Sequence, residues 1–145
     1  MNDLPYAKSF RDLLAYKTSR QLARDVFEIT KGFPHEETYS LTDQIRRSSR
    51  SVGAQIAEAW AKRRYERHFI SKLTDADGEQ QETQHWIEVA LDCKYLSTSK
   101  AQELLECCER IGRLLGGMIA KAELFCGELQ PAVRESAVEY FIDEQ

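Results

Sequence analysis

Cations alternate with aromatic rings in one short stretch of the chain. Trp60 and Tyr65 lie among four basic residues, Lys62, Arg63, Arg64 and Arg67. Lysine and arginine neutralise phosphate groups, and aromatic rings or guanidinium planes stack on unpaired bases. This composition indicates binding of single-stranded RNA.

Three more arginines, Arg46, Arg47 and Arg50, precede this stretch in a run with a helical pattern. Together with Lys62, Arg63, Arg64 and Arg67, they are the nucleic-acid-binding residues that the sequence predicts. A second interpretation remains open, because cations at the end of a helix also stabilise the negative end of its dipole without any ligand.

The net charge of −4 conceals an uneven distribution of charged residues. Residues 40–74 carry eight basic and three acidic side chains, whereas residues 75–145 carry six basic and fifteen acidic ones. A basic region attracts polyanions, while the acidic remainder keeps the protein in solution. The sequence therefore predicts a basic face on an acidic protein.

Acidic side chains are concentrated between Asp75 and Glu82, where they resemble metal ligands. A di-iron helical bundle needs Glu-x-x-His motifs on facing helices, and Glu82-Thr83-Gln84-His85 supplies one. We therefore predict no metal site. If Glu82 and Gln44 face inward, we expect them to join a polar network that fixes the register of the helices.

The four cysteines are Cys93, Cys107, Cys108 and Cys126. They form no C-x-x-C pair, and the adjacent Cys107 and Cys108 would point to different faces of a helix. The sequence therefore predicts buried, reduced thiols and no cofactor. No nucleophile is positioned beside a base, which predicts a protein that is not an enzyme.

The composition bounds the fold class. The chain has 145 residues, 42% hydrophobic and 30% charged, with three prolines and seven glycines. This length is typical of one domain with one core, and so few turn residues disfavour an all-β fold. The first residues have neither a basic start nor an apolar run, and no stretch approaches the roughly 20 apolar residues of a membrane span. We expect an all-α, cytoplasmic protein without membrane contact.

Periodic apolar residues predict four helices that position these side chains. The first runs from Phe10 to Lys31, the second from Leu41 to about Arg64, the third from Tyr65 or Glu66 to Leu96, and the fourth follows Ser97. Ser9 with Asp12, and Ser40 with Asp43, resemble capping boxes at the first two helix starts.

Each of the last three predicted helices carries a stripe for the core. The stripes are Leu41, Ile45, Ser48, Val52, Ile56 and Ala59; then Phe69, Leu73, Ala76, Gln80, Thr83, Ile87, Ala90 and Lys94; then Leu104, Cys108, Ile111, Leu115, Met118, Ala122 and Phe125. Short connections between long helices favour antiparallel neighbours. We predict an up-down-up-down four-helix bundle over residues 1–126.

The tail, residues 127–145, contains Val133, Ala137, Tyr140 and Phe141, which could form one short helix.

The fourth predicted helix contains three glycines, Gly112, Gly116 and Gly117. They leave a notch through which another backbone could approach closely. Phosphate binding by this run is disfavoured, because no strand precedes it and its setting is a heptad pattern.

Six short motifs are distributed along the predicted helices: Phe33-Pro34-x-Glu36, Leu41-Thr42-x-Gln44-Ile45-Arg46-Arg47, Ser51-Val52, Ile56-Ala57-Glu58, Ala76-x-Gly78-x-x-x-Glu82 and Tyr95-Leu96. In these motifs the chain resembles the four-helix-bundle family encoded by intervening sequences in bacterial 23S ribosomal RNA genes. Gly53, Gln55 and Ala59 stand where the family often has proline, asparagine and glycine. The resemblance spans about residues 10–125 and implies a small antiparallel bundle, a ring-like homopentamer and no enzymatic chemistry.

These observations predict a non-enzymatic homo-oligomer that binds RNA through a basic patch repeated around a ring. Accessory proteins of diversity-generating retroelements are similar in build, and the resemblance to them implies binding of RNA and of a reverse transcriptase. The alternative is a protein-binding scaffold or accessory subunit whose arginines contact acidic partner surfaces and which does not bind nucleic acid directly.

Overall fold

Four long helices form the body of the protein in a computed structural model, which describes residues 6–127 and 133–134. The helices are α1, Leu14–Thr30; α2, Asp43–Ala61; α3, Glu66–Asp92; and α4, Thr98–Ala120. Each packs against the next along the chain, and α1 also packs against α4, which closes the bundle. The predicted all-α four-helix bundle is confirmed.

The predicted stripes form the core. Five apolar residues of the stripe predicted for the second helix are buried, namely Leu41, Ile45, Val52, Ile56 and Ala59, as are the apolar residues predicted for α3 and the whole stripe that begins at Leu104. Lys94 is the exception, since it is exposed and lies beyond the end of α3. Periodicity of three and four residues therefore located the core correctly.

The predicted capping box at the start of the first helix is present. The Ser9 hydroxyl accepts a hydrogen bond from the Arg11 N–H at 3.1 Å, and the Asp12 carboxylate accepts one from the Ser9 N–H at 3.2 Å. This capping box begins a short 3₁₀ turn, Phe10–Asp12, so that α1 itself starts at Leu14. At the start of α4, the Ser97 hydroxyl accepts a hydrogen bond from the Lys100 N–H at 3.1 Å.

The predicted capping box of Ser40 and Asp43 is wrong. A π-helical turn, Thr38–Thr42, leads directly into α2, and the Asp43 N–H donates to the Thr38 carbonyl. Backbone carbonyls of this turn therefore take the place of a side-chain cap. The Ser40 hydroxyl instead donates to the Glu37 carboxylate at 2.8 Å.

Helix α3 ends four residues before the predicted boundary at Leu96. Lys94 adopts a left-handed backbone conformation with φ of 62°. The Tyr95 N–H donates to the Ala90 carbonyl and the Lys94 N–H to the Leu91 carbonyl, both at 2.9 Å. These two bonds form a Schellman motif, which usually places glycine at the left-handed position.

The two ends of the described chain meet in a short antiparallel pairing. Strand β1, Tyr6–Ala7, pairs with β2, Val133–Arg134. The backbone at Val133 is therefore extended. The other members of the predicted tail helix, Ala137, Tyr140 and Phe141, lie outside the described residues.

A polar layer crosses the middle of the bundle. The buried hydroxyl oxygens of Ser48 on α2 and Thr83 on α3 lie 2.8 Å apart. Gln80, which is 4% exposed, packs against Gly112 of α4. The predicted notch in α4 thus receives a side chain at Gly112 rather than a backbone.

Glu82 and Gln44 do not belong to this inner layer, contrary to the inward orientation considered for them. Glu82 is exposed and accepts a hydrogen bond from the Trp86 indole N–H at 3.1 Å. The Gln44 amide donates to the Tyr39 carbonyl at 3.4 Å on the surface. Each side chain points away from the core of the bundle, because it lies beside the apolar stripe of its helix and not on it.

Candidate nucleic-acid interface

The seven predicted cations lie in two groups. Lys62, Arg63, Arg64 and Arg67, here called the turn cluster, surround the connection between α2 and α3, whereas Arg46, Arg47 and Arg50 lie in the first half of α2. Arg50 and Lys62 are twelve residues apart, which corresponds to about 18 Å along a helix. The structure therefore does not assemble all seven into one site.

A tight connection presents the turn cluster. Helix α2 ends at Ala61 and α3 begins at Glu66, and the Tyr65 N–H donates to the Lys62 carbonyl at 3.2 Å. Lys62, Arg64 and Arg67 are exposed. The short turn places these three cations on the same end of the bundle.

An exposed aromatic ring lies within the turn cluster. Tyr65 is 58% exposed, although large aromatic side chains usually bury most of their area. Its ring meets His68 edge-on at 5.5 Å between centroids, and the Arg64 guanidinium lies 5.9 Å from its centre. The turn cluster thus combines a stacking surface with cations.

Arg63 differs from the other three because it is half-buried. Its guanidinium lies 3.5 Å from the centre of the Trp60 ring, and its Nε donates to the Trp60 carbonyl at 2.9 Å. Burial lowers the pKa of Arg63 below its ordinary value, but an arginine stays protonated at neutral pH. Arg63 therefore satisfies a carbonyl at the end of α2, as the alternative interpretation expected of a helix-end cation.

The arginines of the second group have unequal roles. Arg46 Nε donates to the Thr30 hydroxyl at 2.7 Å, and its guanidinium lies 4.7 Å from the centre of the Phe27 ring. This side chain therefore ties α2 to the end of α1. Arg47 and Arg50 are exposed, and Arg50 lies 5.6 Å from the centre of the Phe27 ring.

A groove between α1 and α2 was not predicted from the sequence. Its volume is about 380 Å³, and its lining comprises Ser19, Arg20, Ala23, Arg24, Phe27, Ser49, Arg50 and Gly53. Arg20, Ala23, Arg24 and Phe27 follow the i, i+3, i+4, i+7 spacing of a second stripe on α1. That spacing was a usable signal, but the core stripe of Leu22 and Val26 dominates the pattern of the same helix.

The cysteines and carboxylates make no cluster within the described ranges. No group of three or more histidine, cysteine, aspartate or glutamate side chains in residues 6–127 and 133–134 is arranged to hold a metal ion. Cys108 and Cys126 are buried as predicted and all four thiols are free, but Cys107 is only half-buried, and Cys93 is exposed because it follows the last turn of α3. Burial raises the pKa of Cys126 to about 11.

None of the helices in the described part of the chain combines the length and the apolarity needed to cross a bilayer.

Known proteins resemble the chain in sequence and in fold. A crystal structure of a protein with unknown function from the S23 ribosomal protein family of Bacteroides thetaiotaomicron VPI-5482 superposes with a TM-score of 0.66 at 27% sequence identity. The similarity covers 73% of this chain and 98% of that one. No functionally curated protein matches the chain. Residues 11–117 match the sequence profile of the 23S rRNA-intervening sequence proteins, and the chain belongs to this family.

Proposed function

We propose that the protein is a non-enzymatic RNA-binding protein that contacts single-stranded RNA through the turn cluster. The observation that carries this proposal is the exposed ring of Tyr65, which in sequence directly follows Arg64 and precedes Arg67 by two residues, both of them exposed cations. None of the ion pairs in the described ranges involves Lys62, Arg64 or Arg67. These cations are therefore available for phosphate groups.

The chemistry of the turn cluster fits a flexible, unpaired strand. A base stacked on Tyr65 contributes about 1–3 kcal/mol, as aromatic platforms in single-strand-binding proteins do. The cations on either side then neutralise neighbouring phosphates, and the released counterions favour binding. Arg63 supports the site indirectly, because it satisfies the Trp60 carbonyl at the negative end of α2.

Repetition of the turn cluster in a homo-oligomer compensates for the small size of one site. One protomer has a net charge of −4 and offers three exposed cations beside one ring. Several such sites on one assembly bind one RNA with an increased effective concentration. A homopentamer, which the family resemblance implies, would display the site five times.

Salt-dependent titration tests this proposal. Fluorescently labelled single-stranded RNA is titrated with the wild-type protein and with the double variant Arg64→Glu, Arg67→Glu at several salt concentrations. We expect the affinity of the variant to fall at least tenfold. The slope of log affinity against log salt should decrease by about 1.4, because each phosphate contact to a single strand contributes roughly 0.7.

The double variant Arg110→Glu, Arg113→Glu is the matched control. Both residues are exposed on α4 and the change in net charge is identical. If both double variants lose affinity equally, net charge alone governs binding and the turn cluster is not the site. An affinity that does not respond to salt also contradicts the proposal.

A further inference from the structure

The floor of the groove between α1 and α2 is apolar and open. Ala23 and Phe27 of α1 form it together with Gly53 of α2, and Phe27 remains 36% exposed. A Cβ atom at Gly53 would lie 3.1 Å from the Ser19 hydroxyl and 3.4 Å from the Tyr16 ring. The glycine therefore allows the helices to approach closely here while leaving a depression above them.

The rim of this groove is cationic. Arg20 Nη1 donates to the Tyr16 hydroxyl at 2.9 Å, and Arg24 Nη2 donates to the Gln21 amide oxygen at 2.8 Å. Arg50 lies against Phe27 from the side of α2. Within residues 6–127 and 133–134, no ion pair involves any of these three arginines. An apolar floor with a cationic rim is complementary to an acidic amphipathic segment.

The chain itself contains such a segment. Residues 135–145 read Glu-Ser-Ala-Val-Glu-Tyr-Phe-Ile-Asp-Glu-Gln, with four acidic and no basic side chains. Val138, Tyr140, Phe141 and Ile142 provide its apolar side chains. We propose that residues 135–145 of a second copy of the chain dock into the groove, with their carboxylates against Arg20, Arg24 and Arg50.

The direction of the chain at β2 favours a second copy over the same one. Strand β1 leads towards α1, and β2 runs antiparallel to it, so that the chain leaves Arg134 in the opposite direction. The groove lies between about 8 and 20 Å beyond the first residue of α1, at 1.5 Å per residue. Eleven extended residues span up to about 40 Å, so the length of the segment admits either groove, and the preference for a second copy rests on the direction of the chain at Arg134.

Such a contact joins two different surfaces, the tail of one copy and the groove of the next. A heterologous contact of this kind produces either a closed ring or an open filament, depending on the rotation between copies. The tail would thereby be a determinant of assembly. This inference does not require RNA binding.

Site-specific photo-crosslinking of the full chain tests the proposal. Phe141 is replaced by p-benzoylphenylalanine, and equal amounts of isotopically heavy and light protein are mixed before illumination. We expect crosslinks to residues 19–27 or 49–53, found as heavy–light pairs by mass spectrometry. Crosslinks confined to one copy, crosslinks elsewhere, no crosslinks, or a wild-type protein that is monomeric at every concentration would overturn the proposal.

Charge variants test the recognition chemistry. In the photo-crosslinking protein, Arg20→Glu with Arg24→Glu should lower the heavy–light yield at least fivefold, whereas Arg110→Glu with Arg113→Glu should leave it unchanged. Adding Asp143→Lys and Glu144→Lys to the groove variant should restore the yield, which a variant that merely fails to fold would not show. Equal yields in the two arginine variants, or no restoration by the lysines, would refute the ionic part of the contact.

Discussion

Ser48 on α2 and Thr83 on α3 join their helices through hydroxyl oxygens 2.8 Å apart, and neither residue is measurably exposed. The Thr83 hydroxyl also lies 2.9 Å from the Glu79 carbonyl, and the Ser48 hydroxyl 3.3 Å from the Ile45 carbonyl. A slip of one helical turn, about 5.4 Å, would separate the pair. The hydrogen bond therefore selects one register of α2 against α3.

Substitutions that remove the bond between Ser48 and Thr83 should destabilise the protein, and their effects should not be additive. We expect Thr83→Val and Ser48→Ala each to lower the free energy of unfolding by about 1 kcal/mol, a typical net value for a hydrogen bond. The double variant should lose less than the sum, because the second change finds the shared bond already absent. Urea denaturation of the four proteins measures this coupling.

Thr74→Val provides the control for that double-mutant cycle. Its hydroxyl donates to the Ile70 carbonyl at 2.8 Å, within α3 and on its exposed side. The change should alter stability by less than about 0.5 kcal/mol. Strict additivity of Ser48→Ala and Thr83→Val would contradict a direct bond between the two residues.

Alanine at two glycines of α4 should have different effects. A Cβ atom at Gly112 would lie 2.9 Å from Gln80 Nε2, whereas among the described residues nothing beyond the helix's own backbone lies within 4 Å of one at Gly116. Gly116→Ala should therefore stabilise the protein by up to about 1 kcal/mol through helix propensity. Gly112→Ala should lack this gain, because Gln80 must move and weaken its bond to Asp77, which is 2.8 Å long.

Thermal unfolding compares the two glycine variants directly. The difference between them should be about 1 kcal/mol, the net value of one hydrogen bond. It should shrink when Gln80→Ala is present in both backgrounds, since the obstructing amide is then absent. Equal stabilisation by the two alanines would show that Gln80 moves without cost.

The core was predictable because its signal is local. Apolar residues recur every three or four positions along α2, α3 and α4, and burial follows directly from that spacing. The same reasoning placed Ser48 and Thr83 on buried stripes. It could not pair them, because their contact spans 35 residues of sequence.

The helix boundaries and the grouping of the site residues were harder to predict than the core. The end of α3 depends on a left-handed Lys94, and lysine has no intrinsic preference for that conformation. The seven cations are close in sequence, yet the length of α2 separates them into two groups. The spacing of Arg20 and Arg24 places them on one face of α1, but they border a groove only because α2 packs beside that face, which the pattern of α1 does not reveal.

The pairing of Glu37 with Tyr95 predicts a pH-dependent stability. The Tyr95 hydroxyl donates to the Glu37 carboxylate at 2.8 Å, and Ser40 donates to the other carboxylate oxygen. These bonds lower the pKa of Glu37 below its ordinary 4.5 and raise the pKa of Tyr95 to about 12. Glu37 therefore contributes stability above pH 4.5 that is lost as the pH falls through its lowered pKa. Tyr95 contributes stability below pH 10 that is lost as the pH rises towards 12.

Comparison of the wild type with Tyr95→Phe measures this dependence. The difference in the free energy of unfolding should be constant at intermediate pH and should decrease at both extremes. Ser40→Ala should change the acid side alone, because its hydroxyl contacts only the carboxylate. A difference that is the same at pH 3 and pH 7 would rule out the contribution of Glu37.

Replacement of Tyr65 should separate base stacking from charge. Loss of one stacked base costs about 1–3 kcal/mol, so that Tyr65→Ala should weaken RNA binding by roughly 5- to 150-fold at constant salt. The slope of log affinity against log salt should not change, because that slope counts phosphate contacts and the cations remain. Tyr65→Phe should bind as the wild type does, since the ring is retained.

Tyr39→Ala is the matched control, because Tyr39 is 82% exposed but precedes α2 at the other end of that helix. Fluorescence anisotropy with a labelled single strand measures all four proteins. If Tyr65→Ala binds as the wild type does while Arg64→Glu with Arg67→Glu does not bind, the RNA contacts the turn cluster through phosphates alone.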